Sequence, residues 1–110
     1  MKTHIKNSEV PVEVVGKGVK RQIMGYDKNL MLVRVFFEKG GIGEPHQHPH
    51  QQVSYVEKGT FEVTIDGKTE VLSAGDCFVV PSNARHGAVC LEEGILIDTF
   101  SPLREDFLKQ

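Results

Sequence analysis

Three of the five histidines in this chain fall at alternate positions, His46, His48 and His50, inside the stretch GEPHQHPHQQVSYVEKG. Residues i and i+2 on a strand share a face, so His46 and His48 can reach one ion together. Gln52 lies four positions beyond His48, at the same parity, and can bring a side-chain oxygen to that side. His86 stands far along the chain in VPSNARHGAV, after a proline-bearing turn and at the start of a further strand. Three imidazoles and one oxygen make a credible site for a divalent transition metal, since imidazole nitrogen suits zinc, nickel, iron and copper. Four neutral ligands would leave the ion's full charge available as a Lewis acid. His50 is an alternative candidate left out of this set, because Pro49 bends the chain between it and His48. An HxHxH run alone is also what a solvated loop or an adventitious metal binder shows, and a lone histidine is more often structural.

A second informative stretch is ILIDTFSPLREDFL, residues 95 to 108. Asp98 and Phe100 share a strand parity with Leu96, so the acid sits among apolar neighbours. A carboxyl in such surroundings has a raised pKa unless a cation opposes it, and a metal or Arg104 would be that cation. The plain readings are a turn-capping Asp98, a core Phe100 and an exposed Arg104.

Both groups need a rigid frame. The chain has 110 residues, enough for one domain with one modest core. Hydrophobic residues make up 39% and charged residues 25%, a globular rather than a disordered balance. A net charge of -2 and a pI near 6.2 speak against nucleic-acid binding. No run approaches the roughly 18 apolar residues of a membrane span. MKTHIKNSEV has no apolar h-region of a secretory signal, and Cys77 and Cys90 lack CxxC spacing, so a cytoplasmic protein with reduced thiols is expected.

Glycine and proline punctuate the chain at short intervals, and the pieces between them read as strands. LMLVRVFF (30 to 37) is rich in branched and aromatic residues. In TFEVTIDGKTEVL (60 to 72), Phe61, Val63 and Ile65 face one way and Glu62, Thr64 and Asp66 the other; Asp66-Gly67 supplies a hairpin turn. CFVVP (77 to 81), HGAVCL (86 to 91) and ILIDTF (95 to 100) read as separate short strands. SPLREDFLK (101 to 109) reads as a helix with Ser101 as N-cap and Pro102 in the first position. Many short strands imply a sandwich or barrel, whose interior can hold one small ligand. Arg34, mid-strand between apolar residues, either faces that interior or pairs with Glu38 or Glu57, and is left out of the site.

The spacing of the histidines carries a resemblance. From Gly40, five residues lead to His46, one to His48, three to Gln52 and six to Gly59. From Gly75, five lead to Pro81, and His86 follows after four more. These resemble the paired cupin motifs, G-x5-H-x-H-x3or4-E-x6-G and G-x5-P-x-G-x2-H-x3-N, over roughly residues 30 to 100. The resemblance implies an all-β cupin, a double-stranded β-helix or jelly-roll barrel, with residues 1 to 110 as a single cupin domain followed at its end by the short helix. Three positions depart from the pattern: Gln52 for Glu, Asn83 for Gly, and Cys90 for the final Asn. Asn tolerates left-handed backbone angles. Gln52 cannot neutralise charge or act as a base, which weakens oxygen-handling roles that rely on that Glu.

Among small cupins with a Gln metal ligand, the DxFSPxREDFL ending resembles the KdgF family of pectin and alginate degradation. That family opens the ring of 4,5-unsaturated uronate monosaccharides to a linear 5-keto uronate. The resemblance implies one divalent metal (zinc, nickel, iron or manganese) on His46, His48, Gln52 and His86. It also implies Asp98 as general acid/base, Arg104 as the carboxylate holder and Phe100 against the sugar ring. A homodimer and a small uronate partner follow from the same resemblance. The rival expectations are another cupin enzyme, such as a dioxygenase or isomerase on a small organic acid, and a non-catalytic sugar- or acid-binding module.

Overall fold

The computed structural model describes residues 1 to 109. Eight strands follow a short 3-10 turn at Asn7–Glu9: β1 (Glu13–Gly16), β2 (Val19–Asp27), β3 (Leu30–Phe37), β4 (Ile42–His46), β5 (Gln51–Ile65), β6 (Lys68–Ser73), β7 (Cys77–Val80) and β8 (His86–Ser101). One helical turn, α1 (Glu105–Leu108), ends the chain. All strand pairs are antiparallel, in the order β1-β2-β3-β8-β5-β6, with β4 beside β8 and β7 beside β5. No helix among the described residues is long and apolar enough to cross a membrane.

The two long strands, β5 and β8, turn this order into a closed shape. The C-terminal half of β8 pairs with β3 and the start of β5, while its N-terminal half pairs with β4 and the end of β5. Each long strand therefore belongs to both walls and must bend between them. The register shifts fall at Val56/Lys58, Lys58/Thr60 and Thr60/Phe61 on β5, opposite Glu92 to Gly94. Gly59 makes the bend with φ 86°, and a Cβ there would lie 2.5 Å from the Glu93 carbonyl oxygen, so no side chain fits.

Most of the expected strands are present, with corrections where local cues competed with pairing. HGAVCL and ILIDTF are one 16-residue strand. The Glu92-Glu93 step reads as a break, yet Glu92 stays paired with Thr60 and Ile95 with Lys58. The helix is shorter than expected: Ser101 is still in the ladder opposite Gln51, so it cannot act as N-cap. The Ser101–Pro102 peptide is cis and Arg104 precedes the helical turn. Strands β1, β2 and β4 lie outside the expected set, because their sequences mix polar residues into a weak alternation.

Inward-facing residues form two clusters. Phe37, Val56, Phe61, Val63, Phe78, Val80, Cys90 and Leu96 pack with Val19 and Ala84 at one end. Met31, Val33 and Phe100 pack with Ile23, Leu103 and Phe107 at the other. Phe37 and Phe61 meet edge to face at 5.1 Å. Truncation of Phe61, which has no exposed surface, is expected to leave a cavity. Phe61→Ala should destabilise the fold by about 3–5 kcal/mol in urea titration, without a changed slope.

Candidate functional site

A cavity of about 200 Å³ opens between the two clusters, lined by His46, Gln52, His86, Asp98, Phe100, Arg104 and Arg21 together with apolar side chains such as Val33, Phe78 and Leu96. His46 ends β4 and His86 begins β8, and the two are cross-strand partners. His48 lies beyond the strand, so strand parity is not what aims it. The loop that carries it is fastened to the turn before β8: the Asn83 amide donates to the His48 carbonyl at 2.8 Å, and the Ser82 hydroxyl donates to the Pro49 carbonyl at 2.5 Å. Asn83 has φ 65°, the left-handed conformation that the turn demands.

The nitrogens of His46, His48 and His86 all lie within 4.8 Å of one another. Each imidazole is held by a backbone carbonyl. Nδ1 of His46 donates to Glu44 at 2.8 Å, Nδ1 of His48 to His50 at 2.9 Å, and Nδ1 of His86 to Ala84 at 3.0 Å. A carbonyl can only accept, so each Nδ1 carries a proton, and where the ring is neutral its Nε2 presents a bare lone pair. Burial pushes His86 down to about 4. Burial and then the nearby Arg104 guanidinium push His48 below the ordinary histidine value. Both are therefore neutral at neutral pH.

The two buried lone pairs lack donors. Nε2 of His86 is buried without a hydrogen-bond partner among the described residues. Nε2 of His48 lies 3.1 Å from Oε1 of Gln52, one acceptor against another with no proton between them. Leaving such groups unsatisfied costs about 1–3 kcal/mol each. A divalent cation satisfies all of them at once, and the donor set of three imidazole nitrogens and one amide oxygen fits zinc, nickel or iron. The residues present thus fit a metal.

Asp98 and Phe100 face this cavity from β8. Asp98 is half-buried overall, and its remaining exposure is to the cavity. Loss of hydration pushes its carboxyl up to about 6, against the opposing pull of the Ser54 hydroxyl and of Arg104. The Phe100 ring meets the His48 ring edge-on at 5.8 Å. Arg104 is buried, with Nε and Nη2 bonded to Asp106 at 3.0 and 2.8 Å. Its fork is therefore partly committed within the chain.

Two residues stand elsewhere than the cavity. The Arg34 side chain pairs with Glu57 at 3.1 Å on the outer face. His50 stays outside the imidazole cluster and serves through its carbonyl, which receives Nδ1 of His48. Arg21 and Ser54 are the site residues that sequence reasoning missed. Arg21 alternates with Val19 and Ile23 in VKRQI, a usable signal only once that segment is read as a strand. Ser54 shares parity with Gln52, but a serine carries no distinguishing mark by itself.

Comparison with known proteins is consistent with this geometry. The cupin domain model matches residues 33–98. The pectin degradation protein KdgF of Dickeya dadantii (strain 3937) is 48% identical over 110 residues, covering 98% of this chain and 100% of that one. The solved structure of KdgF from a Halomonas species superposes with a TM-score of 0.92 at 42% identity, covering 97% of this chain and 99% of that one. An RmlC-like cupin from Shewanella frigidimarina NCIMB 400 also gives a TM-score of 0.92, at 50% identity over 96% of both chains.

Two outcomes test the site. His86→Ala should abolish stoichiometric binding of zinc or nickel by chelator-stripped protein in titration calorimetry, whereas His50→Ala should bind within a few fold of wild type, since its carbonyl survives. The second concerns pH in the metal-free protein. His86 stays neutral in the fold but protonates in the unfolded chain near 6.5, so the fold loses stability as pH falls from 6.5 to about 4. Asp98, raised to about 6, acts with the opposite sign over much of that interval. Asp98→Asn should therefore lose stability more steeply on acidification, by about 3 kcal/mol from His86, read by urea titrations at stepped pH.

Proposed function

This chain belongs to the cupin family and, within it, to the KdgF proteins of pectin degradation, and from that premise we propose that it is a metal-dependent enzyme that opens the ring of 4,5-unsaturated uronate monosaccharides. The observation that carries the metal is the cluster of three imidazoles, one of which sets its Nε2 against the Gln52 oxygen. Asp98, lining the same cavity, carries the chemistry.

The substrate is a cyclic hemiacetal whose ring oxygen is also an enol-ether oxygen, next to a carboxylate. Opening is an isomerisation. The C1 hydroxyl loses its proton and becomes the aldehyde oxygen as the bond from C1 to the ring oxygen breaks. The electron pair passes to that oxygen as an enolate, and a proton arriving at C4 leaves the 5-ketone. No oxidant is needed.

Asp98 takes the C1 hydroxyl proton and delivers a proton at C4. A carboxyl near 6 suits both halves of that task at neutral pH. Arg104 holds the substrate carboxylate through Nη1, the guanidinium nitrogen without a hydrogen-bond partner among the described residues. Arg21 adds a second cation from the cavity wall; only its Nε is committed, to Glu13 at 2.7 Å. Phe100 covers the sugar ring and keeps water from the enolate. A divalent ion on His46, His48, Gln52 and His86 would supply positive charge beside the oxygen on which negative charge develops.

The protein works as a homodimer in a reducing, cytoplasmic setting. Leu32, Val53 and Val79 lie in one register row on the outer wall, with Tyr55 in the next, and all four are exposed. Covering that apolar patch with a second copy accounts for it. Both cysteines are free.

Metal-loaded protein should consume unsaturated galacturonate or its mannuronate-derived counterpart under anaerobic conditions. The readout is loss of the conjugated double-bond absorbance together with aldehyde signals in NMR. Chelation should stop the reaction. Asp98→Asn should slow it about 100-fold or more with metal content unchanged. Substrate that stabilises the protein thermally without being consumed would replace this reading with that of a binding module.

A further inference from the structure

Behind the imidazole cluster runs a short chain of hydrogen bonds. Gln52 Nε2 donates to Ser54 Oγ at 2.9 Å, and Ser54 Oγ donates to Asp98 Oδ1 at 2.6 Å. Ser54 has no exposed surface, and Gln52 is also buried. All three belong to neighbouring β5 and β8, with Ser54 directly opposite Asp98 in the ladder. A hydroxyl has one proton. Here that proton goes to the carboxylate, so the Ser54 oxygen is left as an acceptor and requires a donor from Gln52.

We propose that Ser54 is a positioning residue that locks the Gln52 amide with its NH2 turned back and its oxygen turned toward Nε2 of His48. The alternative amide orientation has its own attraction. Turned over, the NH2 would donate to the bare Nε2 of His48, which lies 3.1 Å from the present oxygen. That bond would remove one ligand and cap a second. Ser54 prevents it, because the turned amide would offer a carbonyl to a hydroxyl whose proton is already given to Asp98. The same accounting explains why an amide stands at position 52. A carboxylate there would leave two anions competing for the single proton of Ser54.

The inference rests on the metal reading above, and its test separates the two. Titration of zinc or nickel into chelator-stripped protein should show Ser54→Ala binding about 10- to 100-fold more weakly than wild type, the usual range for loss of a residue that orients a ligand. Ser54→Thr, which keeps the hydroxyl, should bind within a few fold of wild type. In the metal-free proteins, nuclear Overhauser contacts of the Gln52 amide protons should run to the Ser54 side chain in wild type and to the His48 ring in Ser54→Ala. This second measurement needs no threonine variant and no bound ion. Unchanged affinity in Ser54→Ala, or amide contacts that stay put, would overturn the role of Ser54 while leaving the metal site standing. Equal weakening in a folded Ser54→Thr would do the same, since the hydroxyl would not be what matters. A wild type that binds neither metal would remove the metal reading itself.

Discussion

Acceptors that face acceptors in a buried pocket are unstable neighbours unless a cation lies between them. Each of three backbone carbonyls, from Glu44, His50 and Ala84, accepts a hydrogen bond from Nδ1 of one histidine, so that in the neutral ring the opposite nitrogen carries no proton. The resulting lone pairs converge with the Gln52 oxygen where burial has already disfavoured imidazolium at His48 and His86. At those two histidines the arrangement resists the simplest escape, protonation, and favours coordination instead. The rest of the molecule serves to hold that conflict in place.

The frame does so through two long bent strands. β5 carries Gln52 and Ser54 at one end, and β8 carries His86 at one end and Asp98 and Phe100 at the other. Because each strand crosses from one wall to the other, both ends of β8 look into a single cavity. The C-terminal segment closes one side of it. Phe107 lies between two guanidiniums, with Arg21 at 4.1 Å and Arg104 at 4.2 Å from its ring centre. Such contacts are worth about 0.5–2 kcal/mol each, and these ones also fix where two cations stand relative to Asp98. Cations, carboxyl and lone pairs are thus arranged by packing and not by mutual attraction alone.

Legibility followed the strength of the local signal. Phe61, Val63 and Ile65 alternate cleanly, and the hairpin at Asp66-Gly67 is where those residues put it. The ladder of LMLVRVFF is equally plain because nearly every residue favours a pleated, buried surface. Where pairing worked against local preference, the reading failed. Glu92-Glu93-Gly94 looks like a loop, yet neighbours on β5 hold it in the sheet. SPLREDFLK has helix-start chemistry at Ser101, but the ladder opposite Gln51 claims that residue first. Arg34 between apolar residues was open to either face, and only the ion pair with Glu57 resolves it.

The amino-acid sequence by itself carried the candidate ligand types and their spacing, the sandwich or barrel that such alternating strands imply, and the family these motifs mark. Those features depend on residue chemistry and on periods of two or a few positions, which the linear order carries. Tertiary structure alone decided which way His48 points, what occupies Arg104, that Arg21 joins the cavity, and which atom of the Gln52 amide faces inward. Most of these depend on partners tens of residues apart in the chain, such as Ser54 and Asp98, and even the short link from Arg104 to Asp106 depends on how the C-terminal segment folds back. The direction of a hydrogen bond is set by which partner has a proton to give, and that is known only once the partners have met.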